Sequence, residues 1–474
     1  MVDYLFGQWA WLVWSIVIVV NLIAIVALLY RGQGVERTLA WLFAVIAFPG
    51  LGAAAYLLLA DPTIKRTKLR RRRTKSAIIA RSRVEPYLPG DTASSHVMAL
   101  ATRSTGLEPT VGNHAEVLTG DETAFARVEA ALHQAKERIW AEYYLIRRDE
   151  TGHRFLDILA QKAREGVEVR LIYDALGSFR MSRPRLRAII AAGGRCEEFH
   201  PLNPLRKRWA VHLRNHRKLI VIDGLEAFTG GMNVGDEYSG RARRRGTLHF
   251  SDTHLRLAGP CVDDLEVVFA EDWHFATGEL LELEDRSSPA QGSATVAVIP
   301  SGPDQPLNSS HINYFIGITS ARQSIWLTSP YFIPDEAILT ALIGAALKGV
   351  DVRILMPAES DVLLVGPAGR SYYQQLLAAG IRIFEYLPSM LHAKTMVVDG
   401  NLSLVGSANL DMRSFRLNFE VGAMIDDPAL AKTLQERFAA QTGESREVSL
   451  DAVQRWPVAK RLLHGTARLF SPLL

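Results

Sequence analysis

Two stretches of the chain read His216-Arg-Lys218-Leu-Ile-Val-Ile-Asp223 and His392-Ala-Lys394-Thr-Met-Val-Val-Asp399. In both, histidine, lysine and aspartate stand at positions i, i+2 and i+7. The apolar and β-branched residues between the lysine and the aspartate predict a buried strand. Residues two apart on a strand point to the same face, so each stretch presents an imidazole and an ammonium group together.

Each stretch leads into a second shared pattern, Thr229-Gly-Gly-Met-Asn233 in the first and Val405-Gly-Ser-Ala-Asn409 in the second. The glycine lets the backbone approach a ligand closely, and the asparagine amide can donate hydrogen bonds to an anion. After the shared glycine, the first copy has Gly231 and the second has Ser407. We expect the serine hydroxyl to contact a bound phosphate in one half only, which makes the two half-sites chemically unequal.

The two stretches belong to a longer internal repeat. Residues 162–173 and 345–356 both read as the end of a helix, a glycine stop and a buried strand. Upstream, residues 139–145 resemble residues 325–331. Strands that alternate with helices predict an α/β fold with mixed or parallel sheets, and a period this long indicates duplication of a whole domain.

The first sixty residues are much more apolar than the rest and predict a transmembrane hairpin. Residues 9–30 and 39–60 each approach the roughly 20 apolar residues that a spanning helix needs. Pro49 interrupts the second run, so a re-entrant segment is the alternative there. We predict a hairpin over 1–61, a polybasic linker over 62–112, and repeat domains over 113–290 and 291–474.

Most of the formal net charge of +4 can be traced to one basic run between Lys65 and Lys75. Basic residues next to a membrane segment keep the following chain in the cytoplasm, and they attract anionic headgroups. A nucleic-acid binder would instead spread its basic residues over a groove or face. The sequence therefore predicts anionic phospholipid and membrane partners, with no nucleic acid.

The repeated motifs suit chemistry at a phosphodiester. One imidazole can attack phosphorus while the other protonates the leaving oxygen, and the lysines and asparagines stabilise phosphoryl charge. No metal and no cofactor are expected, because the cations are built in; Cys196 and Cys261 have no zinc-site spacing and are expected to be small buried residues. The aspartates are expected to orient and pair with basic groups rather than to react. The predicted catalytic set is His216, Lys218, Asp223, His392, Lys394 and Asp399, supported at the phosphate by Asn233, Ser407 and Asn409.

These motifs resemble the HKD motif of the phospholipase D superfamily, and the flanking text most resembles the bacterial cardiolipin synthases. That text includes residues 214–218, 230–238, 406–414 and 417–420. The resemblance covers almost the whole chain and implies two tandem phospholipase D-like domains, with mixed β-sheets flanked by helices, related by a pseudo-twofold axis. It also implies a multi-pass protein of the bacterial cell (inner) membrane, with its catalytic domains on the cytoplasmic side.

The implied reaction joins two phosphatidylglycerol molecules, through a phosphatidyl-histidine, to give cardiolipin and glycerol. The family favours the N-terminal histidine as nucleophile, but the similarity of the halves leaves this open. Glu420 and Asp252 resemble the carboxylates that hold the imidazoles. Water or another lipid alcohol, such as phosphatidylethanolamine, are alternative acceptors, and a catalytically inactive membrane scaffold is a third hypothesis.

Overall fold

A computed structural model describes residues 2–31, 35–59, 87–90, 92–119, 121–203, 212–240, 249–283, 288–305 and 307–472. The chain divides into two compact units, Met1–Leu69 and Arg70–Leu474. The basic run 65–75, together with about half of the predicted linker over 62–112, lies outside the described residues, and the described remainder contains a helix, Ala93–Thr105.

The smaller unit contains helices α1 (Val2–Arg31), α2 (Val35–Ala47) and α3 (Leu51–Leu59). Within α1, Trp11–Tyr30 is the one stretch of the described chain that is long and apolar enough to cross a membrane, with a mean hydropathy of 2.9. Buried Tyr56 packs edge-to-face on Trp41, with ring centroids 5.6 Å apart. An apolar helix at the N-terminus therefore agrees with the first predicted span.

The second predicted span is not one continuous helix, because the chain turns at Pro49 and Gly50 between α2 and α3. Proline removes a backbone donor, and Gly50 adopts a φ of 80°, in the left-handed region that glycine tolerates. The freed Gly50 N–H donates to Asn21 Oδ1 at 3.1 Å. Asn21, the main polar residue of the first predicted span, thus accepts the backbone hydrogen bond that is freed where the second span is interrupted.

In the described part of the chain, the first half of the larger unit has helices before, between and after its strands. Its elements are α4 (Ala93–Thr105), β1 (Thr110–Thr119), α5 (Asp121–Gln134), β2 (Arg138–Tyr143), α6 (Glu150–Arg164), β3 (Glu168–Asp174), α7 (Arg183–Ala191), β4 (Arg195–Phe199), β5 (Arg214–Asn215), β6 (Lys218–Ile222), β7 (Glu226–Gly230), β8 (Phe250–Ser251), β9 (Thr253–Ala258) and α8 (Cys261–Thr277).

The second half repeats this plan and adds C-terminal elements. Its elements are β10 (Ala294–Ser301), α9 (Ser309–Ser320), β11 (Ser324–Thr328), β12 (Phe332–Ile333), α10 (Glu336–Leu347), β13 (Asp351–Pro357), α11 (Val365–Arg370), α12 (Tyr373–Ala378), β14 (Arg382–Tyr386), β15 (Met390–Leu391), β16 (Thr395–Val398), β17 (Leu402–Gly406), β18 (Leu410–Asp411), α13 (Met412–Arg416), β19 (Asn418–Asp426), α14 (Pro428–Gly443), β20 (Ser445–Val448), α15 (Leu450–Gln454) and α16 (Val458–Arg468).

The two halves share one mixed sheet with the same strand order in each. The first half runs β4-β3-β2-β6-β7-β9-β1, the second runs β14-β13-β11-β16-β17-β19-β10, and β20 extends the second half beyond β14. Strands β1 and β10 pair antiparallel and join the halves, whereas β2, β3 and β4 pair parallel. The mixed α/β architecture with a duplicated plan is thus confirmed.

The motif strands lie in the middle of each half and are buried along their whole length. All five residues of β6 and all four of β16 are buried. A strand covered on both faces is continuously apolar, which is why the residues after each motif lysine do not alternate with polar ones. Of the two cysteines, Cys261 is buried and Cys196 is half-buried.

The motif aspartates lie at the opposite end of these strands from the lysines. Asp223 starts the turn between β6 and β7 with a φ of 53°, and Asp399 starts the turn between β16 and β17 with a φ of 52°. The Asp223 carboxylate accepts hydrogen bonds from the backbone N–H groups of residues 136, 137 and 138, at 2.8–2.9 Å. The Asp399 carboxylate accepts in the same way from residues 322, 323 and 324.

These contacts differ from the expectation that the aspartates pair with basic groups. In the described part of the chain their partners are backbone N–H groups, each at the start of the neighbouring strand. An aspartate suits the place because it tolerates a left-handed conformation and accepts several hydrogen bonds. These hydrogen bonds hold each turn against the first residues of the neighbouring strand.

We predict that Asp223→Ala lowers the free energy of unfolding by about 2 kcal/mol, because three N–H groups lose a charged acceptor. Asp223→Asn, which keeps one acceptor and the same backbone tolerance, should cost less. The measurement is urea unfolding in detergent, together with turnover per folded molecule. Loss of turnover at unchanged stability would instead make Asp223 a reacting group.

Candidate active site

Each motif histidine is held by a carboxylate from the other half of the larger unit. His216 Nδ1 lies 3.0 Å from both carboxylate oxygens of Glu420 on β19. His392 Nδ1 lies 2.6 Å from Asp252 Oδ2, just before β9. A carboxylate oxygen only accepts, so each Nδ1 carries the proton and each Nε2 keeps its lone pair.

The backbone N–H group of each motif histidine also forms a hydrogen bond to the opposite half. Strand β5 runs parallel to β19, and the N–H of His216 donates to Phe419 O at 2.8 Å. Strand β15 runs parallel to β8, and the N–H of His392 donates to Ser251 O at 2.8 Å. Two short parallel pairings thus place each histidine beside the carboxylate of the opposite half.

The motif lysines are buried next to these histidines. Lys218 Nζ donates to His216 O at 2.6 Å, and Lys394 Nζ lies 2.7 Å from His392 Nδ1. Burial lowers the pKa of Lys218 to about 7 and the pKa of Lys394 to about 8. Burying ammonium groups is costly, so a site that holds two of them favours an anionic ligand that restores their charge.

Both imidazoles are neutral near pH 7 before a ligand binds. Burial lowers the pKa of His216 to about 4, opposed by the charge of Glu420 and assisted by the lysine charges. Burial also lowers the pKa of His392, and Lys394 lowers it further. Each imidazole pKa is lowered in part by the lysine of the other motif, so the two motifs share one electrostatic environment.

Asp252 is a fully buried carboxylate that stays ionised. Burial alone would raise its pKa, but the charges of Lys394 and His392, together with its hydrogen bonds, lower the pKa below its usual value. Its backbone neighbour Thr253 donates to Asp252 Oδ1 at 2.7 Å. The negative charge needed to hold a protonated Nδ1 is therefore available without a solvent contact.

The position after the shared glycine supports the carboxylates in both halves. Ser407 Oγ donates to Glu420 Oε2 at 2.5 Å and accepts from Val421 N at 3.0 Å. At Gly231, a Cβ atom would lie 2.0 Å from Asp252 Oδ1. The serine that we expected at the phosphate is thus hydrogen-bonded to Glu420, and the glycine leaves room for Asp252.

The two motif asparagines are buried at the ends of the following strands. Asn233 Nδ2 donates to the Tyr238 hydroxyl at 2.9 Å. Among the described residues, Oδ1 of Asn233 and Oδ1 of Asn409 have no hydrogen-bond partner. These oxygens can accept a hydrogen bond from a ligand hydroxyl, whereas the amide N–H groups are the donors that an anion needs.

Arg217 was missed by the sequence reasoning, although it stands between the histidine and the lysine. Its side chain points to the other face of the strand and is buried. Nε donates to Glu420 O at 3.0 Å, Nη1 to Asp272 Oδ2 at 2.5 Å and Nη2 to Ser301 O at 3.4 Å. The only signal was a charged residue at an inward position, where the second copy has Ala393.

A duplicated α/β domain in which the histidine of each motif is held by a carboxylate of the other half defines a phospholipase D-like protein. The family model described as "Cardiolipin synthase, PLD-like domain" matches residues 128–273 and 314–442. The cardiolipin synthase of Geobacillus kaustophilus is 39% identical over 451 residues, which cover 92% of this chain and 89% of the relative. The chain belongs to the cardiolipin synthase family of phospholipase D-like proteins.

Two further comparisons concern the family and the fold, respectively. A probable cardiolipin synthase of Bacillus subtilis is 35% identical over 461 residues, covering 96% of this chain and 92% of the relative. The crystal structure of a phosphatidylserine synthase from Haemophilus influenzae matches 81% of this chain and all of that chain, with a TM-score of 0.60 and 15% identity. That structural likeness shows a shared fold.

We predict that Arg217→Ala lowers the free energy of unfolding by about 3 kcal/mol or more, because it removes a buried charge partner of Asp272. Arg382→Ala, which breaks an exposed ion pair with Glu447, should cost about 1 kcal/mol or less. Urea unfolding of the two variants side by side checks this. Equal, small losses would show that Arg217 does not hold the halves together.

Proposed function

We propose that the chain is a membrane-bound phosphatidyltransferase that converts two phosphatidylglycerol molecules into cardiolipin and glycerol. The observation that carries this proposal is the exchange of carboxylates, which brings both histidine–lysine pairs to one interface in a member of the cardiolipin synthase family. One phosphodiester can then contact a nucleophile, a proton donor and two ammonium groups together.

In the first step, His216 Nε2 attacks the phosphorus of one phosphatidylglycerol. The bond from phosphorus to the glycerol oxygen breaks, and protonated His392 donates its Nε2 proton to that oxygen, so glycerol leaves. The anionic phosphate favours the protonated form of His392 while it is bound. Asp252 stabilises the imidazolium from Nδ1.

In the second step, neutral His392 accepts the proton of a hydroxyl on the second phosphatidylglycerol. That oxygen attacks phosphorus, the bond from phosphorus to His216 Nε2 breaks, and cardiolipin forms. Lys218, Lys394 and the motif asparagines stabilise the charge on the equatorial oxygens in both steps.

His216 is the better nucleophile on two structural grounds. Its side chain is 14% exposed, whereas the side chain of His392 is 6% exposed. Lys394 Nζ lies against the His392 ring, 2.7 Å from Nδ1 and 3.2 Å from Nε2. An ammonium group beside the ring reduces its nucleophilicity and leaves His392 the proton-transfer role.

The domain plan is part of the same proposal. Residues 113–290 and 291–474 are the two repeat domains, related by a pseudo-twofold axis, which the identical strand orders support. Residues 1–61 form a membrane hairpin that is kinked at Pro49, followed by the linker over 62–112. The hydropathy of Trp11–Tyr30 supports the anchor, and the basic run supports a cytoplasmic catalytic unit at the bacterial inner membrane.

We predict that His216→Ala and His392→Ala each reduce turnover about a thousandfold or more, because each removes a reacting group. Purified full-length protein in phosphatidylglycerol vesicles is assayed by mass spectrometry of the lipids and of glycerol. Rapid quenching of the wild type in denaturant at alkaline pH, where the P–N bond is stable, should trap a phosphoramidate on His216.

Four outcomes would contradict this assignment. A phosphoramidate on His392 would reverse the two roles. Phosphatidic acid as the main product would make water the acceptor, and products with added phosphatidylethanolamine would identify that lipid as the acceptor. Full turnover by His216→Ala would exclude the mechanism.

We predict that kcat/KM falls as the pH rises through about 7 to 8, because Lys218 and Lys394 lose their protons there in the free enzyme. The corresponding decrease in kcat should occur at higher pH, since a bound phosphate raises both lysine pKa values. Initial rates between pH 5 and 10 in mixed micelles measure this. A kcat/KM that keeps rising to pH 10 would show that the lysines do not act as cations.

A further inference from the structure

Two loops occupy the same place in the two halves, and both follow the carboxyl end of a parallel strand. Rim loop 1, residues 175–182, connects β3 to α7, and rim loop 2, residues 358–364, connects β13 to α11. Ligands of α/β sheets bind outside the carboxyl ends of such strands. The two loops are therefore candidates for the surface through which a substrate arrives.

Rim loop 1 is fastened to the residue that packs on His216. Ser178 Oγ donates to Tyr144 O at 3.0 Å, and a Cβ atom at Gly177 would lie 2.2 Å from the same oxygen, so only glycine permits this contact. The Tyr144 ring meets the His216 imidazole edge-to-face, with centroids 5.0 Å apart. A single residue, Tyr144, thus connects the loop to the imidazole of the proposed nucleophile.

Rim loop 2 has the same relation to the other histidine. The Tyr331 hydroxyl donates to Asp361 Oδ1 at 2.7 Å. The Tyr331 ring is nearly perpendicular to the His392 imidazole, with centroids 6.4 Å apart. Each histidine is thus flanked by a tyrosine that a rim loop holds.

Both loops expose large apolar side chains beside the reacting groups. Phe179 on rim loop 1 is 55% exposed, and Leu363 on rim loop 2 is 87% exposed. Their neighbours Leu176 and Val362 are exposed as well. Apolar residues that recur at equivalent places around a site mark an interaction surface rather than scattered surface residues.

The charge next to rim loop 1 favours an anionic lipid surface as the partner. The guanidinium of Arg180 lies 5.1 Å from the centroid of the Phe179 ring. Arg147 and Arg183 are half exposed nearby, although each also forms an ion pair, with Glu237 and Glu198 respectively. Arg183 also lies 6.0 Å from the Tyr173 ring. Aromatic and aliphatic tips with basic neighbours are the composition of membrane-interface segments.

We propose that Phe179 and Leu363 insert into the acyl layer of an anionic bilayer, one on each side of the active site. A lipid phosphate then reaches His216 and His392 from the headgroup layer while its acyl chains stay among the apolar tips. This inference rests on the proposed function, because it requires a substrate that resides in a membrane. It adds a second membrane contact, separate in sequence from the N-terminal apolar helix.

The test uses the full-length chain and two substrates. Wild type, Phe179→Asp and Leu363→Asp are assayed on phosphatidylglycerol vesicles and on dihexanoyl phosphatidylglycerol below its micelle concentration. Leu225→Asp is the matched control, since Leu225 is 51% exposed but lies in the turn between β6 and β7, at the end away from Lys218. We expect the ratio of vesicle rate to monomer rate to fall about tenfold in both rim variants and to stay unchanged in the control.

Other outcomes overturn the inference in recognisable ways. An unchanged ratio excludes membrane insertion, and an unchanged ratio with a shifted sedimentation coefficient identifies a second copy of the chain as the partner. Equal loss on both substrates means that the loops only position the tyrosines. A wild type that converts neither substrate refutes the proposed function, whatever the variants do.

A second readout measures insertion without relying on turnover. Nitroxide labels are placed by Leu363→Cys, Phe179→Cys and Leu225→Cys in a Cys196→Ala/Cys261→Ala background, in vesicles of phosphatidylglycerol. Labels at 363 and 179 should be more accessible to oxygen than to a nickel chelate, and the label at 225 should show the reverse. Aqueous behaviour at all three positions contradicts the inference.

Discussion

The structure depends on the exchange of two buried carboxylates between the halves of the catalytic unit. Glu420 of the second half holds His216 of the first, and Asp252 of the first holds His392 of the second. Neither half supplies the carboxylate that holds its own histidine. Removal of either carboxylate would leave a buried Nδ1–H group without its hydrogen-bond partner. Each half therefore needs the other to hold its histidine, and this mutual pairing places both histidines at the interface between the halves.

The exchange also sets the charge balance of the site. Two buried lysines have lowered pKa values beside two imidazoles whose pKa values are lowered as well, so the site favours an anionic ligand that restores the charge of its lysines. A phosphodiester supplies this charge and is the group on which the imidazoles can act. Arg217 contributes from the opposite face of β6 by binding the backbone of Glu420 and the side chain of Asp272.

Much of this could be predicted from residue spacing, and the rest could not for identifiable reasons. The i, i+2 spacing predicted that each lysine lies beside its histidine, and the repeat predicted two similar halves. Glu420 and Asp252 were selected by resemblance, but spacing along the chain says nothing about which half's histidine a carboxylate reaches. The hydrogen bond of Ser407 to Glu420 and the backbone contacts of Asp223 depend on close packing in three dimensions, and the break at Pro49 depends on the partner that Asn21 offers to Gly50.

The exchange itself can be measured by the hydrogen bonds of the two histidines. In ¹⁵N-histidine-labelled protein, the Nδ1–H of His216 and of His392 should each give a downfield proton resonance, as expected for a hydrogen bond to a carboxylate. We predict that Glu420→Gln removes the resonance of His216 and leaves that of His392, whereas Asp252→Asn does the opposite. If each substitution instead affected the histidine of its own half, the exchange of carboxylates and the shared site built on it would be contradicted.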